Sequence, residues 1–310
     1  MYRPIDPKVD CVFKTLFGSE DHSELLIDFL NALLGDELPA PVTAVDILNP
    51  YNERETLDDK LTIVDVKARD AQRRLFQVEI QLLVFPELST RILYAWADLY
   101  SQQLQSGQDY SELQPTYTIW LLDQTLFTAR AEYAHRFTLR DELGRGLLDH
   151  GSIRLFELSK FAVERVETDT ERWLAFLKDG ERLDPDHLPE WMHSPIMRHA
   201  MSTLNAFSEK ERDYHRYQSR QEALRQQRAI QRALDEAREN TRAAMQATEA
   251  ERQAKEAERQ AKEAERQAKE AERQAKEAER QAKEAALQAR EEALAEVARL
   301  KALLSQRDAH

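Results

Sequence analysis

Apolar and polar residues alternate along two short segments in the first third of the chain. The first segment runs from Leu61 to Lys67 and the second from Leu75 to Leu83, and both are rich in the β-branched and aromatic residues that strands favour. The polar residues 69–74 lie between the two segments, where they predict a turn. Because alternate side chains of a strand point to opposite faces of its sheet, the pattern predicts two neighbouring strands, each with one polar face.

Acidic and amide side chains recur on these polar faces. Asp65 shares the polar face of the first strand with Lys67, and Glu79 lies between Gln77 and Gln81 on that of the second. If the strands pair as an antiparallel hairpin in a suitable register, Asp65 and Glu79 converge with Gln81 beside them. Carboxylate and amide oxygens are the ligands that Mg²⁺ or Mn²⁺ prefers, so we predict a metal site with Asp65 and Glu79 as ligands. The residues on the opposite, core-facing side of the second strand are Phe76, Val78, Ile80 and Leu82.

Other apolar patterns predict the elements around this hairpin. Residues 23–34 place apolar side chains at i, i+3 and i+4, which is typical of a helix with one buried face, and Gly35 ends it. The further predicted elements are a strand over 42–48, a helix over 88–105, a strand over 115–122, edge strands over 136–139 and 153–158, and a helix over 169–178. The order helix, three strands, helix, strand indicates an α/β fold and permits a parallel pair at the sheet centre.

Three further segments accompany the acidic hairpin. They are the opening stretch Asp6–Gly18, residues 28–34 and the block from Arg91 to Tyr117. Together with Asp65 and Glu79-x-Gln81, they resemble the PD-(D/E)XK nuclease family transposases, also called recombination-promoting nucleases of the Rpn family, over about residues 4–125. The resemblance implies a restriction-endonuclease-like mixed sheet flanked by helices. It also implies a divalent-metal-dependent DNA endonuclease linked to DNA recombination or transposition, with DNA as its partner.

The resemblance implies roles for individual residues. Asp65, Glu79 and Gln81 take the catalytic positions, although Gln81 stands where the family usually has a lysine, and no proline precedes Asp65. An amide orients water by hydrogen bonding but carries no positive charge. Lys67 and Lys14 are therefore candidates to supply that charge, and a solvated surface lysine is the alternative interpretation of each.

Two acidic residues before the hairpin are candidates for a supporting role. Asp10 belongs to the opening stretch, and Glu24 stands early in the first amphipathic helix, where many nucleases of this superfamily carry a third acid. The alternative interpretation of Glu24 is an exposed helix glutamate.

The distribution of charge opposes nucleic-acid binding at first sight. The formal net charge is −13, and residues 1–200 carry 35 acids against 21 bases. Phosphate contacts need clustered lysine and arginine, and DNA-binding domains are typically basic. The basic residues nearest the predicted hairpin turn are Lys67, Arg69, Arg73 and Arg74. They are candidate contacts to the DNA backbone, and the alternative is an ordinary polar turn.

The last 115 residues differ in composition from the rest of the chain. All seven glycines and all ten prolines precede Ile196, and the heptad ERQAKEA recurs five times from Glu251 to Ala285. Alanine and long charged side chains favour helix, and glutamate–lysine pairs four residues apart support it. The sequence therefore predicts a nuclease-like domain over 1–195. Over 196–310 it predicts a nearly continuous charged helix that begins at a capping box, Ser208-x-x-Glu211.

The alanines of the repeat lie three and four residues apart, as heptad a and d positions do. This spacing favours a coiled coil and a homo-oligomer formed through the C-terminal helix. Because alanine buries little area, a solitary charged helix is the alternative. A stronger apolar stripe follows the repeat at Ala293, Val297, Leu300 and Leu304.

Several other classes of protein are disfavoured. The single cysteine, Cys11, excludes an intramolecular disulfide, and we expect neither a secretory leader nor a membrane span, so the expected location is cytoplasmic. We find no nucleophilic serine or cysteine with a matched histidine and no glycine-rich phosphate loop. The alternative function is a catalytically inactive nuclease-like protein. In that case the nuclease-like domain, which we call the head, binds a partner, and the C-terminal helix, which we call the tail, spaces or oligomerises it.

Overall fold

A computed structural model of the chain describes residues 3–48 and 64–307, of which 64–65, 211–212 and 300–307 are described by their backbone alone. The chain divides into two compact units, Met1–Ala229 and Ile230–His310. Residues 61–63 of the first predicted strand lie outside the described residues. Within the described residues, the first unit contains the sheet, five complete α-helices and the first turns of a sixth.

The described residues form one mixed sheet of six strands in the order β1-β2-β3-β4-β6-β5. The strands are β1 (Val45–Ile47), β2 (Val64–Asp70), β3 (Leu75–Gln81), β4 (Thr116–Leu122), β5 (Ala134–Phe137) and β6 (Gly151–Glu157). The β3–β4 and β4–β6 pairs are parallel and the other three are antiparallel, which confirms the predicted parallel pair at the centre. β5 is an edge strand as predicted. The prediction was wrong for β6, which lies between β4 and β5.

The part of the chain that the structure describes contains six α-helices. They are α1 (Asp10–Phe17), α2 (Ser23–Leu34), α3 (Leu88–Ser101), α4 (Asp169–Asp179), α5 (Pro195–Glu209) and α6 (Glu211–Arg307). α2 has the predicted bounds, and α3 and α4 match their predictions within a few residues. α1 was not predicted, because its eight residues make only about two turns, too few for a periodic pattern to stand out.

The two faces of the sheet pack against different helices. Val66, Phe76 and Ile119 belong to the main core, which α1, α2, α4 and α5 complete. On the other face, Trp120 and Leu122 of β4 pack in a smaller core with apolar residues of β6 and α3. Because side chains alternate between faces, Glu79 lies on the same side of the sheet as the smaller core. The structure is thus a mixed α/β fold with a helix-flanked sheet.

The first unit continues past the predicted domain boundary at residue 195. Met197, Leu204 and Phe207 of α5 are buried in the main core. Tyr217 of α6 is also buried, and its hydroxyl accepts a hydrogen bond from the backbone N–H of Asp6 at 3.1 Å. The fold of the head therefore includes α5 and the first turns of α6.

α5 and α6 are separate helices. Lys210 between them has φ −78° and ψ 111°, an extended conformation. The hydroxyl of Ser208 donates to the carbonyl oxygen of Asn205 at 2.7 Å, within α5. The predicted capping box at Ser208 is therefore wrong, and α6 begins at Glu211 after the break.

The second unit consists of the remaining turns of α6. Every described side chain from residue 232 to residue 299 is exposed. Lysines of the repeat pair with glutamates four residues earlier, as Lys255 does with Glu251 at 2.6 Å and Lys269 with Glu265 at 2.6 Å. Among the described residues, no helix has the long apolar run that crossing a lipid bilayer would require.

Candidate active site

The candidate site begins with the register of the β2–β3 hairpin. The two strands are antiparallel, and Asp65 lies directly opposite Glu79 while Lys67 lies opposite Gln77. Directly opposed residues of an antiparallel pair project from the same face, with Cβ atoms about 4.5–5.5 Å apart. The hairpin therefore brings the two acidic positions together on one face of the sheet.

A buried ion pair fixes the turn that sets this register. The carboxylate of Asp70 accepts hydrogen bonds from the backbone N–H of Arg74 at 2.9 Å and from its Nε at 2.7 Å. Arg74 also donates through Nη1 to the carbonyl oxygen of Ala40 at 2.8 Å, and it is 2% exposed. Arg73 next to it has a left-handed backbone, with φ 63°. The guanidinium of Arg74 thus holds the hairpin and is not available to DNA, whereas Arg69 and Arg73 are exposed.

Glu79 is a buried carboxylate. Glu79 and Gln77 are each 2% exposed, and the amide Nε2 of Gln77 donates a hydrogen bond to Oε1 of Glu79. The next strand, β4, runs parallel to β3 and places Trp120 beside Glu79 and Thr118 beside Gln77. β3 is therefore buried on both faces, and its polar face is an internal polar patch rather than a solvated surface.

Gln81 lies at the carboxyl end of β3 and is half-buried. Its side-chain amide Nε2 donates to the backbone carbonyl oxygen of Leu83 at 2.7 Å. The backbone carbonyl oxygen of Gln81 accepts a hydrogen bond from the backbone N–H of Asp123 at 3.0 Å. These two bonds fix both the side chain and the backbone of Gln81 at the edge of the sheet.

The supporting residues predicted on α1 and α2 lie in a different layer. Asp10 forms an ion pair with Arg220 of α6 at 3.2 Å, and Glu24 bonds His199 of α5 at 2.5 Å. Lys14 is half-buried on α1. α1 and α2 complete the core on the opposite face of the sheet from Glu79, so among the described side chains these three residues lie apart from Glu79.

The chemistry of the hairpin residues fits a hard divalent cation. Glu79 contributes a buried carboxylate, Asp65 is the acidic residue opposite it, and Gln81 adds an amide at the strand end. Oxygen donors of this kind suit Mg²⁺ or Mn²⁺. Among the side chains that the structure describes, which exclude that of Asp65, no group of three or more histidine, cysteine, aspartate or glutamate residues could hold a metal.

Two neighbours of Glu79, Thr118 and Trp120, were missed by sequence reasoning. The sequence placed Gln77 on the face of Glu79, because it stands two residues earlier, but gave it no role. Thr118 and Trp120 could not be identified from the sequence, since they lie about 40 residues away and become neighbours of Gln77 and Glu79 only through the parallel register of β3 and β4. Periodicity identifies the face of a residue but not its neighbours across a parallel pair.

Comparison with known proteins agrees with this architecture. The model of the PD-(D/E)XK nuclease family transposases matches residues 7–233, a range that includes all six strands, α1 to α5 and the first turns of α6. No curated protein and no solved structure matches the chain. The family match extends well beyond the segments that carry the resemblance in the sequence. Because it covers most of the chain, this protein belongs to the PD-(D/E)XK nuclease family transposases.

Proposed function

We propose that this protein is a divalent-metal-dependent DNA endonuclease linked to DNA recombination or transposition. The observation that carries the proposal is the register of β2 and β3, which sets Asp65 opposite Glu79. Membership of a nuclease family supports the reaction class. In this proposal Asp65 and Glu79 are the metal ligands, and Gln81 is the third catalytic residue.

Each of these residues has a physical role in the proposed reaction. A bound Mg²⁺ or Mn²⁺ supplies Lewis-acid chemistry, which polarises the scissile phosphate and lowers the pKa of the attacking water. Asp65 and Glu79 provide anionic oxygens, and the bond from Gln77 keeps the carboxylate of Glu79 in one orientation. Gln81 orients the attacking water by hydrogen bonding.

Lys67 supplies the positive charge that Gln81 lacks. It lies opposite Gln77, two residue pairs along from Asp65 and Glu79, and alternation places it on the face of Asp65. It is half-buried, so its charge is less screened than that of a fully solvated lysine. Lys14 is the other lysine candidate, and its helix α1 packs on the face of the sheet opposite Glu79.

Lys67, Arg69 and Arg73 form the proposed contact to the DNA backbone. Arg69 is exposed on β2 and shares the face of Asp65 and Lys67, and Arg73 is exposed in the following turn. Three such residues give a local basic strip beside the acidic site, although the chain as a whole is acidic. DNA binding that depends on these contacts weakens as the salt concentration rises. The logarithm of the binding constant should fall against the logarithm of the salt concentration with a slope of about −0.9 per phosphate neutralised.

A plasmid-nicking assay tests the proposal. Purified full-length protein is incubated with supercoiled DNA in Mg²⁺, Mn²⁺, Ca²⁺ or EDTA, beside the isosteric variants Asp65→Asn and Glu79→Gln. Nicking should require Mg²⁺ or Mn²⁺ and be lost in both variants, while the exposed-site control Glu164→Gln keeps wild-type activity. Persistent metal-dependent nicking by Asp65→Asn would remove the assignment.

A catalytically inactive, partner-binding protein is the second candidate function. The observation that favours it is the amide of Gln81, which stands in place of a lysine and donates to the carbonyl oxygen of Leu83. Absence of cleavage with every cation, together with salt-insensitive binding of a protein partner, would support this function over the nuclease.

A further inference from the structure

Two residues of β4 that neighbour Gln77 and Glu79 on β3 carry buried polar atoms. Thr118 and Trp120 are both 0% exposed. Within the part of the chain that the structure describes, neither Oγ1 of Thr118 nor Nε1 of Trp120 has a hydrogen-bond partner. A buried donor left without a partner costs about 1–3 kcal/mol, so native proteins satisfy such groups with protein, water or ligand atoms.

The position of these atoms indicates what they serve. In the parallel β3–β4 register, Trp120 is the neighbour of Glu79 and Thr118 is the neighbour of Gln77. Adjacent strands lie about 4.8 Å apart, and residues in register project from the same face. The four side chains therefore form one buried polar patch, with the carboxylate of Glu79 as its acceptor.

The chemistry of the patch suits a bound water. An indole N–H can only donate, whereas a hydroxyl can both donate and accept. A buried water typically makes two to four hydrogen bonds, and a carboxylate taken out of bulk solvent needs donors around it. Gln77 already supplies one such donor, to Oε1 of Glu79.

We infer that Gln77, Thr118 and Trp120 are positioning residues for the Glu79 carboxylate. Gln77 holds one carboxylate oxygen directly, and Thr118 and Trp120 hold a buried water that hydrogen-bonds the carboxylate from the β4 side. The inference rests on the proposed function, because that function gives Glu79 its role as a metal ligand. It adds that β4, which contributes none of the predicted ligands, fixes the geometry of the site.

The competing interpretation is that Trp120 and Thr118 only fill space. In that case valine, which has nearly the shape of threonine, would serve as well or better at position 118, since an unpartnered polar atom would have been removed. Trp120→Phe also removes buried volume, so it lowers stability under either interpretation. Thr118→Val therefore separates the two interpretations by the sign of its effect on stability, and Trp120→Phe separates them by whether its effect depends on the carboxylate of Glu79.

The test is a double-mutant cycle between Trp120→Phe and Glu79→Gln in the full-length protein. Urea unfolding is followed in EDTA by tryptophan fluorescence, which reports on the head because all four tryptophans precede Ile196. Trp120→Phe should lower the midpoint in the wild-type background and lower it by less than half as much in the Glu79→Gln background. An unchanged or raised midpoint, or the same loss in both backgrounds, would overturn the inference.

Trp96→Phe is the matched control for the loss of an indole N–H. Nε1 of Trp96 donates to the carbonyl oxygen of Thr116 at 3.1 Å on the α3 side of the fold. Its effect should be the same with and without Glu79→Gln. If Trp120→Phe does not fold, the cycle is run with Thr118→Val, and the same two outcomes decide.

A second readout connects the patch to the metal. By calorimetry, Trp120→Phe should raise the dissociation constant for Mn²⁺ by about tenfold, the lower end of what removing a partner of a metal ligand costs. Trp96→Phe should leave it unchanged. A wild-type protein that neither binds Mn²⁺ nor nicks DNA would contradict the proposed function, yet the unfolding cycle would still decide whether β4 positions Glu79.

Discussion

Glu79 in the head and the glutamates of the repeat show two opposite ways to hold a carboxylate. Glu79 is 2% exposed, bonded to Gln77, and flanked by residues from two neighbouring strands. In the tail, Glu265 is about two-thirds exposed and pairs with Lys269 in a geometry that every copy of the repeat can reproduce. The buried carboxylate of Glu79 has one fixed set of neighbours, which gives it a specific chemistry. An exposed glutamate of the repeat has the same surroundings as its counterpart in every other copy.

The largest effect should come from where the chain is cut. Every described side chain from residue 236 to residue 299 is exposed, so removing residues 236–310 should leave the tryptophan-monitored urea midpoint of the head at the wild-type value. Removing residues 196–310 also takes away α5, including Met197, Leu204 and Phe207, each worth about 1.5–3 kcal/mol of burial, and should prevent stable folding. A stable 1–195 fragment would show that α5 is dispensable.

The second contrast concerns activity. Glu79→Gln should reduce plasmid nicking by about 100-fold or more, because even the partners of metal ligands are worth about 10–100-fold. The same substitution at Glu265 should leave the nicking rate unchanged. Equal losses in the two variants would mean that the repeat takes part in cleavage, and the distinction between head and tail would fail.

The third contrast compares ion pairs. Arg74→Met leaves Asp70 buried without its cation and should cost about 3–5 kcal/mol of head stability, measured by urea unfolding. Lys269→Met removes one exposed pair of the tail and should leave the same midpoint unchanged. A small effect at Arg74 would show that another group compensates for Asp70.

The smallest expected effect is a dependence on pH that belongs to the head. Burial, and then the neighbouring His199, lower the pKa of His22 below its usual 6.5, against the opposing effects of Asp21 and Glu24. His22 therefore binds a proton more readily in the unfolded chain than in the folded one. The free energy of unfolding of the head should fall as the pH falls below about 6.5.

Urea midpoints between pH 7.5 and 5.5 measure this effect. The midpoint should fall in the wild type and fall less in His22→Gln. The tail offers the comparison, because residues 230–309 contain no histidine, and its helical circular dichroism should stay constant over the same interval. A midpoint whose pH dependence is identical in His22→Gln would assign it to another group.

Local patterns in the sequence predicted the parts of the fold that depend on local physics. The apolar face of α2, the alternation along β3 and the composition of the repeat each carry their own signal, and the corresponding elements are present. The acid-to-acid pairing of the hairpin was expected from two strands joined by a short polar turn, and the backbone register has it.

Long-range contacts explain what the sequence did not reveal. The position of β6 inside the sheet, the bond of Glu24 to His199, and the burial of Arg74 all depend on residues that are distant in sequence or on a turn conformation. A charged residue near a turn is usually solvated, so nothing local marked Arg74 as structural. The partners of Glu79 on β4 remained hidden for the same reason.

The exact identity of the five heptads has a geometric consequence. Seven residues of α-helix advance by about 10.5 Å along the helix axis. They complete almost two full turns, with a shortfall of only about 20°. Gain or loss of one copy would therefore move the segment after Ala285 by a fixed step along the helix axis while keeping nearly the same azimuth. The number of copies thus sets the length of the helix in discrete steps and leaves the orientation of its far end almost unaltered.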